Sequence, residues 1–186
     1  MFEKYVDLNT VQELRMRSLV YFGCGAIAKM NEIAATMSTR GITRVLIVTS
    51  GHAYQKSGAW EPVLAALTRS GITYVHYDQV RPNPTTDGID SATKLGRDNS
   101  VQAVIGIGGG SPIDTAKSAA ILLEYPGETG ESLFEWKFTP QKALPIVAIN
   151  LTHGTGTEGN RVAVASVAHR NYKPAIAYDC IYPTWS

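Results

Sequence analysis

The stretch "GIGGGSPIDTAK", residues 106–117, sets three consecutive glycines, Gly108, Gly109 and Gly110, between an apolar run and a segment of helical periodicity. Ser111 suits an N-cap, Pro112 the first helical position and Asp114 the third, so the spacing predicts a helix beginning at this point. A turn without Cβ atoms lets a ligand come close to the backbone. The free N–H groups and the dipole of a helix start favour an anion there. The chemistry open to this pattern is phosphate binding, with a pyrophosphate as the natural guest. Two plainer readings stand beside it: a packing turn between strand and helix and, for Asp114, a first-turn carboxylate that simply favours the dipole.

Other patterns narrow the field. "GTGTEG", residues 154–159, matches the dinucleotide fingerprint literally, but the "RVAVASVA" that follows reads as a strand, so the required strand–turn–helix context is absent. Lys117 and Ser118 have no glycine immediately before the lysine, which argues against a Walker A loop and nucleoside triphosphate hydrolysis. The four histidines, His52, His76, His153 and His169, include no helical i, i+4 pair able to hold a divalent ion. His76, within an apolar run, reads as structural. The two cysteines, Cys24 and Cys180, are far apart and form neither a disulfide framework nor a zinc knuckle.

These residues need a scaffold, and the chain alternates short β-branched runs with longer helical patterns, as a parallel sheet built from β-α-β units requires. "RVLIVT" reads as a buried strand over residues 44–49, and "AWEPVLAALTRSG" as a helix closed by Gly71. "TYVHYD" is the next strand. "TTDGIDSATKLGRDNS" is a helix capped near Thr85 or Thr86, "VQAVIGIG" is the strand that delivers the glycines, and Pro145 to Ile149 is a further strand. Upstream, "SLVYFG" and "CGAIAKMNEIAATMSTRG" read as a strand and a helix. The tail "RVAVASVAHRNYKPAIAYDC" reads as strands or a hairpin beside the sheet, and residues 125–141, polar and broken by Gly and Pro, as a surface loop. The fold class is therefore α/β: a Rossmann-like parallel sheet flanked by helices, with an added β-hairpin, over residues 1–186 as one domain.

A length of 186 residues suits one domain or one lobe of a larger enzyme, and a formal net charge of +1 gives no field that would recruit nucleic acid. The amino terminus lacks the apolar core of a signal peptide, and no run approaches a bilayer-spanning length, so no membrane partner is expected and the cytoplasm fits best.

Taken together, "GIGGGSPIDTAK", the upstream "RPNPT" and the downstream "THGTGTE" resemble the iron-containing (group III) alcohol dehydrogenases in content and in order, and the similarity runs from "FGCGA" to "YKPAIAYD". The resemblance covers the amino-terminal, nucleotide-binding half of that family's architecture. The resemblance leads us to expect that the family's all-helical second domain, which carries its metal ligands, is absent from this chain. It implies NADP or NAD as cofactor, a divalent metal (iron or zinc) only in the full-length protein, and a small-molecule alcohol or aldehyde as substrate; a homodimer is among the assemblies open to it. It further implies pyrophosphate contacts from Gly108, Gly109, Gly110 and Ser111, with Asp114 in the adjoining turn. Thr152 and Thr155 would face the adenine and ribose side, Lys173 the cofactor ribose, and Asn83 the nicotinamide end. Asn83 between two prolines could equally build a turn, and Lys173 could be a solvated charge.

One departure bears on cofactor choice. Many NAD-using members end the "LIVT" strand with an aspartate that binds the ribose hydroxyls, whereas this chain has Ser50 and Gly51. Without that carboxylate a 2′-phosphate meets no repulsion, and His52 and Lys56 stand nearby in sequence, which points toward NADP. The expected activity is hydride transfer between an alcohol/aldehyde pair and NAD(P) by the full-length enzyme, with this chain alone inactive. The alternatives are a polyol or glycerol-phosphate dehydrogenase relative, or a dinucleotide-binding module without turnover.

Overall fold

A computed structural model of the chain describes residues 11–15 and 17–186. An antiparallel hairpin, β1 (Gln12–Arg15) and β2 (Leu19–Phe22), comes first, followed by a 3-10 turn at Ala26–Lys29 that runs into α1 (Met30–Thr39). The sequence pattern places one helix over both of these last segments; Gly25, at φ 78, starts the tighter turn instead. Next come β3 (Arg44–Thr49), the short α2 (Ala53–Lys56), α3 (Trp60–Arg69), β4 (Thr73–Tyr77), α4 (Thr86–Asp98) and β5 (Ala103–Gly108). The remainder is α5 (Gly110–Glu124), α6 (Gly130–Phe134), β6 (Ile146–Asn150) and the pair β7 (Val162–Val164) and β8 (Ala175–Ala177).

Four parallel strands in the order β4-β3-β5-β6 form the sheet, and helices cover both faces in a Rossmann-like arrangement. The central strands β3 and β5 read as nearly continuous apolar runs because both of their faces are buried, whereas the edge strand β4 leaves Thr73 and Tyr74 exposed. Along β3 the side chains alternate: Val45 and Ile47 pack against α1 and α3, while Leu46 and Val48 pack against α4 and α5, all four at 0% exposure. Cutting Ile47 back to alanine should cost about 2–5 kcal/mol. Gly71, at φ 69, follows the end of α3 as the pattern predicts, and the Thr85 hydroxyl caps α4 by accepting from the Gly88 amide at 3.2 Å.

Residues 184–186 extend the sheet between β6 and β2. Trp185 bridges both Val147 and Leu19, the Ala148 amide donates to the Trp185 carbonyl at 2.9 Å, and the Tyr21 amide donates to the Ser186 carbonyl at 2.8 Å. The tail hairpin β7–β8 is antiparallel, as its alternation suggests, but forms a separate two-stranded sheet rather than joining the parallel one. It packs on α5, so residues 112–122 are buried on every side, including Thr115, Lys117 and Ser118.

Two expectations are corrected. Residues 125–141 are not simply a surface loop: α6 lies within them, and Leu133 and Phe134 are fully buried against the α4 and α5 side of the core. Thr129 and Ser132 form a capping box, and the Asp90 carboxylate accepts from the Gly130 amide at 2.6 Å. A Cβ on Gly130 would stand 2.8 Å from the Thr86 carbonyl oxygen, so this close packing requires glycine. Second, α5 starts earlier than its Ser-Pro pair suggests: Gly109 is the N-cap in extended conformation, and Ser111 already lies in the helix. Pro112 is tolerated in that first turn because the Gly108 carbonyl needs no donor from it and accepts instead from the Leu151 amide at 2.9 Å.

Candidate functional site: the glycine turn and the loop above it

The carboxyl ends of β3, β5 and β6 lie side by side, with Thr49 opposite Ile107 and Gly108 opposite Asn150. Ser50, half-buried, therefore sits one residue beyond the pair that leads to the glycine turn, bridged on its other side to Gln79.

The three glycines answer to different demands. Gly108 has φ +148, and a Cβ there would meet Pro112 Cγ at 2.4 Å. Gly109 is extended, but a Cβ would stand 2.9 Å from Thr152 Oγ1. Gly110 meets nothing nearer than Thr155 Oγ1 at 3.6 Å, which is ordinary contact. Conformation and packing thus account for the first two, and the third faces open space. The amides of Gly110 and Ser111, at the head of a 15-residue helix, have no intrahelical acceptor by the geometry of any helix start. Helix-start donors beside a glycine with a free face, flanked by the hydroxyl groups of Thr152 and Thr155, are an arrangement whose sign suits an anion.

The loop above the turn is braced from below. Asn150 Nδ2 donates to the Thr152 carbonyl at 2.5 Å, and its Oδ1 accepts from the Thr152 amide at 3.3 Å. Asp114 is not a free first-turn carboxylate: it is 9% exposed, and its two oxygens accept from Thr157 Oγ1 at 2.6 Å and from the Val164 amide at 3.0 Å. Burial pushes the Asp114 carboxyl up from its ordinary value, opposed by those two hydrogen bonds, by Lys117 and by Lys173. Lys173 thus lies within electrostatic reach of the helix start, and its Nζ donates to Asn83 Oδ1 at 2.6 Å. Asn83, at φ 57, is exposed. The residue after it is held by the Ser166 amide donating to the Pro84 carbonyl at 2.7 Å. The residues singled out in the sequence therefore gather as Gly109 with Thr152, Gly110 with Thr155 and Asn83 with Lys173, with Ser50 at the neighbouring strand end.

Lys117 is a residue that sequence reasoning passes over except as a failed Walker lysine. It is fully buried, and its Nζ donates to the Thr157 carbonyl, to Thr157 Oγ1 at 2.8 Å, to Asn160 O at 2.8 Å, to Asn160 Oδ1 at 3.4 Å and to the Val162 carbonyl at 3.0 Å. Burial lowers its pKa to about 8, against the pull of Asp114 and Glu158. The readable signal is a lysine among "DTA" and "SAAILL", in a helix with no other long polar side chain between Ile113 and Leu123.

A cavity of about 680 Å³ opens on the far side of Thr152, between β2, the Gly23–Gly25 turn, α1 and the end of β6, with a mainly apolar lining that includes His153. Thr152 alone of the expected site residues reaches it. Apolar walls suit a ring or a hydrocarbon rather than a phosphate, so the cavity and the glycine cradle are chemically distinct. His76 is structural as expected: its Nε2 lies 2.8 Å from Thr49 Oγ1, its ring packs against Tyr54 and Trp60, and burial lowers its pKa against the opposing charge of Asp78. Among the described residues no group of three or more His, Cys, Asp or Glu side chains converges as a metal site, and no helix is long and apolar enough to cross a membrane.

The family model for iron-containing alcohol dehydrogenase matches residues 18–186. Across all 186 residues the chain is 54% identical to the long-chain primary alcohol dehydrogenase AdhA of Thermoanaerobacter ethanolicus, covering 47% of that protein. It is 33% identical over 168 residues to NADH-dependent butanol dehydrogenase A of Clostridium acetobutylicum, which is 90% of this chain and 42% of the relative. Among solved structures, NADH-dependent butanol dehydrogenase A of Thermotoga maritima superposes with a TM-score of 0.85 at 32% identity, over 93% of this chain and 42% of that one. The chain spans about half the length of the curated relatives it matches.

Proposed function

The chain belongs to the iron-containing alcohol dehydrogenase family, and from that premise we propose that residues 1–186 form its dinucleotide-binding domain, which holds NADP or NAD by the pyrophosphate at the amino terminus of α5. The observation that carries this reading is Gly110, the one glycine of the turn whose free face is not explained by packing, beside two helix-start amides. In this reading Gly108, Gly109, Gly110 and Ser111 supply backbone to the pyrophosphate. Thr152 and Thr155, beside the turn, face the adenine and ribose side, Lys173 approaches the cofactor ribose, Asn83 lies at the nicotinamide end, and Ser50 faces the adenosine ribose. Asp114 supports the loop through Thr157 and Val164 and makes no ligand contact of its own.

A bound nicotinamide supplies the hydride acceptor or donor. The protein's own contribution is orientation and electrostatic fit. The substrate class proposed for a chain of the relatives' full length is a primary alcohol or its aldehyde, after the activities for which AdhA and butanol dehydrogenase A are named. The 54% identity to a primary alcohol dehydrogenase supports this over a polyol or glycerol-phosphate substrate. The described residues do not fit a resident metal, since no ligand cluster exists among them, and no step is assigned to one.

Ser50 supports NADP, because no carboxylate at that strand end repels a 2′-phosphate. The two butanol dehydrogenases are named for NADH, which keeps NAD as the second reading. Calorimetric titration with NADP, NAD and nicotinamide riboside tests the assignment. Both dinucleotides should bind and the riboside, which lacks the pyrophosphate, should not. Equal binding of all three would show that the pyrophosphate is not what the chain recognises.

A further inference from the structure

We propose that Lys117, with Thr157 and Asn160, is the positioning element of the dinucleotide site: it fixes the loop over residues 151–160 so that Thr152 and Thr155 stand above the glycine turn, without touching the ligand. This rests on the dinucleotide reading given above. Three observations carry it.

First, a fully buried lysine is expensive unless its ammonium finds acceptors inside the protein. Its retention calls for a partner set, and all five acceptors around Nζ come from one short stretch, Thr157, Asn160 and Val162. Among the described residues, none comes from α4 or the parallel sheet. The lysine ties the loop's descending limb to α5 and leaves the rest of the core alone.

Second, the tie continues upward. Asn160, which accepts from Lys117 through both its oxygens, donates through Nδ2 to the Gly156 carbonyl at 2.9 Å and to the Thr155 carbonyl at 3.4 Å. Thr155 is the residue whose hydroxyl lies nearest the open face of Gly110. A path of three residues therefore runs from the buried amine to the rim of the cradle.

Third, Asn150 holds the loop only at Thr152, and the segment beyond it depends on the Thr157 and Asn160 contacts for its shape. Residues 152–156 are exposed, Gly154, Gly156 and Gly159 leave its backbone permissive, and Gly156 adopts φ 66. Chains of this kind settle into one conformation only when side-chain hydrogen bonds impose it. Thr157 is the junction: its hydroxyl donates to Asp114 and accepts from Lys117, so helix and loop meet at one oxygen atom.

The test uses the whole chain with NADP and NAD as probes. Three variants are compared with wild type: Thr157→Val, which keeps the volume and removes the hydroxyl; Thr157→Ser, which retains it; and Asn160→Ala, which leaves the lysine's carbonyl partners in place and cuts the link to Thr155. Affinity is read by calorimetry at a temperature where circular dichroism shows each variant folded, and the phosphorus NMR signals of the bound pyrophosphate report its surroundings. Thr157→Val and Asn160→Ala should each weaken dinucleotide binding by about tenfold and shift the pyrophosphate signals, while Thr157→Ser stays close to wild type in both. Folded Thr157→Val and Asn160→Ala proteins that bind like wild type, with unshifted phosphorus signals, overturn the positioning role and leave the dinucleotide reading intact. If Thr157→Val does not fold, the comparison of Asn160→Ala with wild type decides by the same two readouts. Absence of binding by wild type overturns the dinucleotide reading and this inference with it.

Discussion

Two places on α5, seven residues apart, treat hydrogen-bond donors in opposite ways. At Gly110 and Ser111 the backbone amides face outward beside a glycine with open space, as a helix start leaves them. At Lys117 a single ammonium meets five oxygens inside the protein. The donors of the first place have no partner within the helix, whereas those of the second meet their acceptors inside the protein. One twelve-residue motif thus carries, in the proposed reading, both the binding edge and the lysine that supports the loop opposite it. A polar residue within a binding motif is therefore not by that fact a ligand contact; the partners it already holds decide.

That contrast can be broken at either end. The largest effect is expected from Lys117→Met, which strands the carbonyls of Thr157, Asn160 and Val162 in the interior and should cost about 3–5 kcal/mol in chemical denaturation. A loss below about 1 kcal/mol would mean the loop carbonyls readily find water. The next effect depends on pH. Burial holds Lys117 at about 8, below the ordinary lysine value of 10.5, so between those values the unfolded chain keeps a proton that the folded chain has released. Wild-type stability should therefore rise with pH across that window, by up to about 3 kcal/mol. Lys117→Met lacks this rise. The difference between the two proteins, followed from below to above the window, isolates the lysine from the tyrosines and cysteines common to both; a flat difference would mean that the ammonium is not penalised in its oxygen cage.

At the open end, Gly110→Ala adds a methyl group that meets only Thr155 Oγ1 at 3.6 Å. Stability should change by less than about 1 kcal/mol, whereas dinucleotide affinity should fall by about tenfold or more. Undiminished affinity would place the anion elsewhere. The smallest effect belongs to Ser50→Asp, which should move the NADP-to-NAD affinity ratio toward NAD by about 1 kcal/mol and less at high salt. An unmoved ratio assigns cofactor choice to other residues.

Much of this architecture is legible in the residues. The apolar, Val- and Ile-rich runs of β3 and β5 announce strands buried on both faces, and Thr85 and Gly71 mark helix ends through side-chain and backbone chemistry visible at one residue's range. The short α6 escapes such a reading because five residues are too few to show a period and its two apolar side chains are outnumbered by polar neighbours; the Thr129–Ser132 box is the available sign. The start of α5 is misplaced because the Ser-Pro pair outweighs glycine in a local reading, whereas the actual N-cap is set by how Gly109 passes under Thr152. At the site, the glycine turn can be read from spacing, and Thr152, Thr155, Asn83 and Lys173 only from the order of motifs shared with a family. Lys117 is hidden for a different reason. A lysine in a helix reads as solvent-facing until the tail hairpin, some 45 to 60 residues later, is known to cover it.

The most direct measurement is amide-resolved NMR of the chain titrated with NADP. If the pyrophosphate docks at the start of α5, the largest shifts fall on the amides of Gly109, Gly110 and Ser111, with smaller ones at Thr152 and Thr155 and little change at Tyr21, Cys24 or Ile149. Shifts concentrated on those last residues, around the apolar cavity, with the glycine turn unmoved, would contradict pyrophosphate docking at the start of α5.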